Sequence, residues 1–351
     1  MATAITDRTW RLSSPDRIEA DLAALWSDLA RRAPVSRALM ANLVVCRERP
    51  ATDPIDLTAP IDDVTVDEVS RRHPSRVILL HHERGAFAAC SPTAAAVGVL
   101  MSGPPQARYG IEQIAVQSAC AEASLPSIVR RLALGDVPTS LWWTDDLSER
   151  PPLDALVTMG RQFLYDSRCW RSVPRGVLAL APLLSGPKPP DLVDLNWRRL
   201  TPMRNALLHA VGSAGLAADM PPADVRIGHR PGDEALAWLL VGWLSARLGL
   251  ASDPGAMRVT EEQHGTEILS VSFAKGAITA TLDDSSVIVM YQDGTTPLVV
   301  SAPREEEADA AAAELRSLTY DVCLRDAVVA LSHGSHTVSR AGLIRPAWRT
   351  R

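Results

Sequence analysis

Two histidines and an acid stand together in His81-His82-Glu83, and two acids in Asp145-Asp146. Imidazoles and carboxylates carry protons and bind metal ions, so these are the first places to look for chemistry. Adjacent residues on a strand face opposite sides, so His81 and His82 cannot easily grip one ion. The plain alternative is a strand end with polar residues. Asp145 and Asp146 could hold magnesium, or could cap the turn that follows them. Asp166-Ser167 follows Phe163-Leu164-Tyr165 at a similar strand end and could meet a ligand or a partner, or simply open a turn. His333 and His336 have a metal-ligating spacing, but no third ligand stands near them in the sequence.

Several chemistries leave no trace. No GxGxxG, GxxxxGK, GxSxG or HExxH occurs. The backbone cradles and ligand geometries that those motifs encode for dinucleotides, nucleotide phosphates, acyl transfer and zinc are therefore missing in their usual form. Only Lys188 and Lys275 among the 36 basic residues are lysines, and neither sits in a context suited to Schiff-base or phosphate chemistry. The five cysteines, Cys46, Cys90, Cys120, Cys169 and Cys323, form no CxxC pair and read as small core residues of a reducing compartment. No cofactor and no metal is implied.

The elements that must position these residues alternate. A helix follows Ser13-Ser14-Pro15, with Ile18, Leu22, Leu25, Trp26 and Leu29 on one stripe. Strand patterns follow at Asn42–Cys46, Val77–His81, Ala86–Cys90, Ile111–Gln117, Thr139–Trp143 and Arg161–Tyr165. Helical patterns at Glu122–Leu134 and Leu153–Gly160 lie among them. Strands alternating with helices predict an α/β fold, a three-layer N-terminal domain with a mostly parallel sheet over residues 1–173. Five prolines in residues 174–193 predict a linker. Beyond it, residues 194–330 read as an α+β domain. They hold helices at about Asp194–Gly212 and Asp233–Leu248, the second apolar nearly all round. Four period-two runs then follow between Glu267 and Val300, and an acidic, alanine-rich helix at Glu305–Leu318. The runs and their turn residues predict an antiparallel meander. Residues 331–351 read as a polar tail.

With 351 residues, 46% of them hydrophobic and 22% charged, the chain has the makeup of a globular protein of about two domains. A net charge of −5 argues against a nucleic-acid partner. No stretch is apolar enough to span a membrane, and the N-terminus MATAITDRTWRLSS lacks a signal core. The expected location is the cytoplasm.

Four segments stand in a family order: HPSRVILL (His73–Leu80), DVPTSLWWTDD (Asp136–Asp146), DLNWRRLTPMRNALL (Asp194–Leu208) and EALAWLLVGWLSARLGL (Glu234–Leu250). With FLYDS (Phe163–Ser167) and GIEQIAVQS (Gly110–Ser118), the chain resembles the OpcA family of glucose-6-phosphate dehydrogenase assembly proteins over about residues 15–330. It departs at Met203, where the family pattern has a tryptophan before the arginine. Thiol control through C-terminal cysteines, associated with the family's cyanobacterial members, has only Cys323 to draw on.

The resemblance implies a non-catalytic partner of glucose-6-phosphate dehydrogenase that promotes the enzyme's active oligomer in the oxidative pentose phosphate pathway. Tryptophan and arginine are favoured at the centres of such contacts. The residues put forward for the contact surface are Trp142, Trp143, Asp166, Ser167, Trp197, Arg198, Arg199 and Arg204. The alternative is a sugar-phosphate-binding sensor or enzyme built on the N-terminal α/β layer, drawing on His81, His82, Asp145, Asp146 and Asp166.

Overall fold

A computed structural model describes residues 8–32, 34–50, 56–60, 63–83, 92–104, 106–186, 189–214, 225–248, 257–263 and 267–340. The strand expected at Ala86–Cys90, and Lys188, lie outside them. The chain forms two units. The first takes in Met1–Asp145, Pro152–Tyr165 and Glu307–Thr319. The second takes in Asp146–Pro151, Asp166–Glu306 and Tyr320–Arg351.

The strands of the first unit are β1 (Arg8–Ser13), β2 (Ser36–Arg37), β3 (Ala41–Arg49), β4 (Ser75–Glu83), β5 (Ala94–Ser102), β6 (Tyr109–Ser118), β7 (Thr139–Trp143) and β8 (Gln162–Tyr165). Its first four helices are α1 (Ile18–Arg32), α2 (Val64–Arg72), α3 (Leu125–Leu132) and α4 (Asp154–Val157). The sheet order is β1-β5-β6-β4-β3-β7-β8, with β2 beside β6. Strands β6, β4, β3, β7 and β8 run parallel, and β5 and β1 turn antiparallel at one edge. Residues such as Val44, Val77, Ile78 and Ile114 are fully enclosed, as a sheet with helices on both faces requires.

Polar side chains mark the two faces. Arg76 points to α1, pairing with Glu19 and, at 3.5 Å, with Glu112. Glu112 also accepts from the indole nitrogen of Trp26 at 2.7 Å and pairs with Arg37 at 2.8 Å. On the opposite face Gln113 donates to Asp67 of α2 at 2.8 Å, and Arg47 pairs with Asp63, the N-cap of α2. The three-layer α/β architecture with its mostly parallel sheet is therefore present.

The second unit holds α5 (Val173–Leu184), β9 (Asp191–Asp194), α6 (Leu195–Arg199), α7 (Thr201–Ala214), β10 (Arg226–His229), α8 (Glu234–Leu248), β11 (Arg258–Glu261), β12 (Leu269–Phe273), β13 (Ile278–Leu282), β14 (Ser286–Tyr291) and β15 (Leu298–Ser301). Its sheet order is β11-β10-β12-β13-β14-β15, antiparallel except for β10 beside β11. The expected meander is β12 to β15. Helix α7 packs on β13, β14 and β15, and alternate residues Val271, Ala280, Val287 and Val289 are buried. The remaining helices are α9 (Glu307–Ser317) and α10 (Val322–Arg340). Helix α8, apolar on every side, packs against α10, α5 and β10. A Cβ built on Gly242 would come within 2.6 Å of the Ala327 carbonyl oxygen, so glycine permits the close crossing of α8 and α10.

Three expectations are corrected. The proline-rich stretch 174–193 is mostly helix α5. Pro174 occupies the first turn, where no intrahelical N–H is needed, and Pro182 falls in the last. Helix α9 belongs to the first unit and not to the C-terminal domain. Its alanines and Leu315 are buried, it packs on α2, and Asp309 pairs with Arg72 at 2.6 Å. The chain beyond residue 330 is not a polar tail from Leu331 on, because α10 continues through Arg340. Residues 341–351 and the side chain of His336 lie outside the described residues.

Candidate partner-binding site

The residues of FLYDS and DLNWRR are joined by hydrogen bonds in the second unit. After β8, Asp166 caps one tight helical turn by accepting from the Arg168 N–H at 2.9 Å, and it pairs with the Arg168 guanidinium at 2.9 Å. Asp194 caps α6. Its Oδ1 accepts from the N–H groups of Asn196 at 2.9 Å and of Ser167 at 3.1 Å. The Asn196 amide returns the link by donating to the Ser167 hydroxyl at 3.0 Å. One capping carboxylate thus satisfies a backbone donor of its own helix and one of the neighbouring turn.

Arg199 carries the network onward. It donates to Asn196 Oδ1 at 2.8 Å and to Asp233 Oδ1 at 3.1 Å. Asp233 also pairs with Arg230 at 3.1 Å, immediately before α8. Among the described residues the second oxygen of Asp194 has no hydrogen-bond partner, and the residue is 2% exposed. Burial, with Asp166 next, pushes its carboxyl up to about 7.

The opposite side of α6 carries Trp197, itself only 3% exposed. The Trp197 indole N–H donates to Asp321 Oδ2 at 2.7 Å. Asp321 in turn caps α10, accepting from the Leu324 N–H at 2.9 Å. The Arg204 guanidinium carbon lies 3.9 Å from the centre of the Trp197 ring, and the group donates to the Thr201 hydroxyl at 3.0 Å. Arg198 holds Glu305 with two contacts of 2.5 and 3.1 Å. Tyr320 and Val322, on either side of Asp321, are 40% and 51% exposed. The Tyr320 hydroxyl accepts from Arg325 at 2.6 Å. Trp197 lies beneath the surface, and the partly exposed Arg198 and Arg204 beside the exposed Tyr320 and Val322 have the makeup of a protein-contact surface.

Of the residues proposed from the sequence, six stand in this one region: Asp166, Ser167, Trp197, Arg198, Arg199 and Arg204. Trp142 and Trp143 do not join them. Both are buried in β7 of the first unit, on opposite faces of the sheet, and Trp143 packs on Phe163 at a centroid distance of 6.5 Å. As core side chains they offer a partner no surface. Asp145 accepts from the Glu48 N–H at 2.7 Å, and Asp146 accepts from the N–H groups of Ser148 and Arg171 at 2.8 and 2.9 Å. Asp146 thus caps the turn that follows it, as the turn reading has it, while Asp145 holds the backbone of β3 instead. Among the described residues no group of three histidine, cysteine or acidic residues is placed to hold a metal ion, and no helix is long and apolar enough to cross a membrane. Asp194, Asn196, Asp233, Asp321 and Tyr320 were not singled out from the sequence. The signal for the first, third and fourth was their place one step before a helix, where a capping aspartate is common.

Family models cover most of this framework. Residues 66–181 match the model for the N-terminal domain of the glucose-6-phosphate dehydrogenase subunit, and residues 190–328 match the one for its C-terminal domain, both of OpcA type. The chain belongs to the OpcA family. An OxPP cycle protein OpcA of Nostoc punctiforme is 27% identical over 185 residues, which are 52% of this chain and 39% of that protein. The OpcA of Synechocystis sp. is 26% identical over 123 residues, 34% of this chain and 26% of that protein. The match thus spans well under half the length of these OpcA relatives. Among solved structures, biliverdin reductase of Synechocystis sp. aligns with 86% of this chain and 99% of its own at a TM-score of 0.43 and 9% identity. Gal80p of Saccharomyces cerevisiae aligns with 87% and 97% at 0.39 and 8%. Likeness at this level assigns no chemistry to this chain.

Proposed function

We propose that this chain is a non-catalytic partner of glucose-6-phosphate dehydrogenase that favours the enzyme's active, assembled form in the oxidative pentose phosphate cycle. The observation that carries the reading is the pair of family matches, which take in both units. The surface around Trp197 and Arg204 supports it, because its composition suits a protein contact. The proposed contact residues are Arg198 and Arg204, with Tyr320 and Val322 beside them, and the buried Trp197 supports Arg204 from beneath. Asp166, Ser167 and Arg199 hold α6 in place from behind. Trp142 and Trp143 act through the fold alone.

The mechanism is linkage. A protein that binds the active state of an enzyme more tightly than the inactive one shifts the population toward it. A coupling of about 1–3 kcal/mol changes apparent substrate affinity several-fold to about a hundredfold. A stable contact buries about 1,200–2,000 Å² in total. The test is to mix the purified chain with the dehydrogenase of its own organism and follow the two by size-exclusion chromatography. Co-elution at a larger size than either alone is the expected result. Separate elution at every mixing ratio would sink the reading.

A further inference from the structure

The antiparallel sheet of the second unit has one face packed on α7 and one face turned away from it. Strands β12 to β15 alternate, and the outward positions of these four strands carry no charge. Ile288 stands beside Val299 and Met290 beside Thr279, and every other outward position is serine or threonine. Met290 and Val299 are 49% and 64% exposed. A sheet face that meets only water alternates to polar and charged residues, whereas depletion of charge marks the centre of a protein contact.

The two ends of the sheet carry opposite charge. Strand register places Arg226 of β10, Arg258 of β11 and Lys275, in the turn after β12, at one end. It places Glu261 of β11, Glu262 after it, and Asp283 and Asp284, in the turn after β13, at the other. Two charges run against this trend, Asp293 at the basic end and Arg304 at the acidic end, and both lie beside β15. The turn that presents Lys275 is strained. Ala274 and Lys275 have φ of 47° and 59°, in the region that favours glycine, so the lysine stands there against local preference.

We propose that this face binds the same face of a second copy of the chain, with the strands of the two sheets antiparallel, so that the basic end of each lies on the acidic end of the other. A two-fold axis in the plane between the sheets and across their strands gives this arrangement. Lys275 then meets the partner's Asp284, and Asp293, the exception at the basic end, meets the partner's Arg304, the exception at the acidic one. A two-fold axis along the strands would instead put like ends together and set Asp283 and Asp284 against their own copies. The occupant is a second copy because the charge pattern is its own complement. Packed sheets lie about 10 Å apart, a gap that a lysine and an aspartate span together, and small hydroxyl side chains let the sheets approach. Four strands of about five residues measure roughly 19 by 17 Å. With β10, β11 and the turns, the contact comes near the lower limit of a specific interface, about 1,000 Å² in total, so the dimer dissociates on dilution. This inference does not rest on the dehydrogenase reading, and either can fail without the other.

The experiment is sedimentation velocity of the full chain over a wide range of concentration. The expected result is a monomer at the dilute end and a dimer at the concentrated end. Lys275→Glu weakens the dimer by about tenfold or more, as like charges across a contact do. Lys275→Glu combined with Asp284→Lys dimerises more tightly than Lys275→Glu alone, because the exchanged charges meet again. Asp283 is left in place because it caps its turn, accepting from the N–H groups of Ser285 and Ser286. Val299→Arg, which puts a charge on the uncharged face, abolishes the dimer, and circular dichroism checks that each variant is folded. A monomer at every concentration, a dimer that Lys275→Glu leaves unchanged, or a double variant no tighter than the single one would each overturn the pairing. So would a Lys275→Glu chain that dimerises like the parent and no longer binds the dehydrogenase, because the face would then belong to the enzyme.

Discussion

Arg204 lies over the ring of Trp197 at 3.9 Å, and the same indole donates its N–H to Asp321 at 2.7 Å. One side chain thus ties the start of α7 to the start of α10 and at the same time presents a cation at the surface. Burial lowers the affinity of the Arg204 guanidinium for its proton, with Asp321 opposing, but arginine stays charged throughout the working range. Replacing Arg204 by alanine is expected to weaken the complex with the dehydrogenase by roughly tenfold or more, as for a central interface arginine. It should cost the isolated chain only about 0.5–2 kcal/mol. Arg204→Lys should not restore binding, because an ammonium lacks the planar stacking face. Isothermal titration of the variants checks this, and unchanged affinity in Arg204→Ala would remove the residue from the contact.

Asp194 makes stability depend on pH. Its carboxyl titrates at about 7 in the folded chain against an ordinary value of 3.8. As pH rises past the lower value the unfolded chain releases this proton while the folded chain keeps it. Stability from this group is therefore full below about pH 4 and is lost progressively until about pH 7. Asp194→Asn keeps an acceptor for the Ser167 and Asn196 N–H groups and does not ionise. Its urea midpoint should fall less than the parent's between about pH 5 and about pH 8, by a difference worth on the order of 2–4 kcal/mol. Parallel midpoints for the two chains would show that Asp194 does not titrate there.

Gly242 sets the spacing of α8 and α10. An added methyl would sit 2.6 Å from the backbone oxygen of Ala327, which cannot swing aside as a side chain can. Gly242→Ala is expected to lower stability by about 1–3 kcal/mol, despite alanine's better helix propensity. Thermal denaturation measures it, and a stabilised variant would mean that the helices part at no cost.

Trp143 is expected to behave as core. Trp143→Ala should destabilise the chain by about 3–5 kcal/mol. In Trp142→Phe, a milder change on the other face of the strand, partner affinity should stay unchanged while stability falls. A folded, stable Trp142→Phe chain with lost partner binding would return this residue to the interface.

Much of this architecture can be read from the residues alone, for physical reasons. Val77–His81 and Thr139–Trp143 are continuous apolar runs bounded by turn residues, and strands enclosed on both faces look that way. The meander shows in the alternation around Val271, Ala280 and Val289. Helix α5 was hidden because Pro174 and Pro182 suggest a break, and only their positions in the first and last turns reconcile them with a helix. The docking of α9 in the first unit was hidden because it depends on contacts hundreds of residues apart, such as Arg72 with Asp309. In the candidate site, Trp197 and Arg204 stood out by residue type. Asp194, Asp233 and Asp321 did not, because an aspartate before a helix is common and nothing local says that they will meet the Ser167 backbone, Arg199 and Trp197 in turn.

The central claim is that the chain acts by docking on glucose-6-phosphate dehydrogenase and changing its behaviour. The most direct measurement is the KM for glucose 6-phosphate of the purified enzyme at rising concentrations of the chain, with Arg204→Ala as control. The account predicts a saturable fall in KM, several-fold at least, that needs higher concentrations of the variant than of the parent. A KM and kcat unmoved at saturating chain would contradict it.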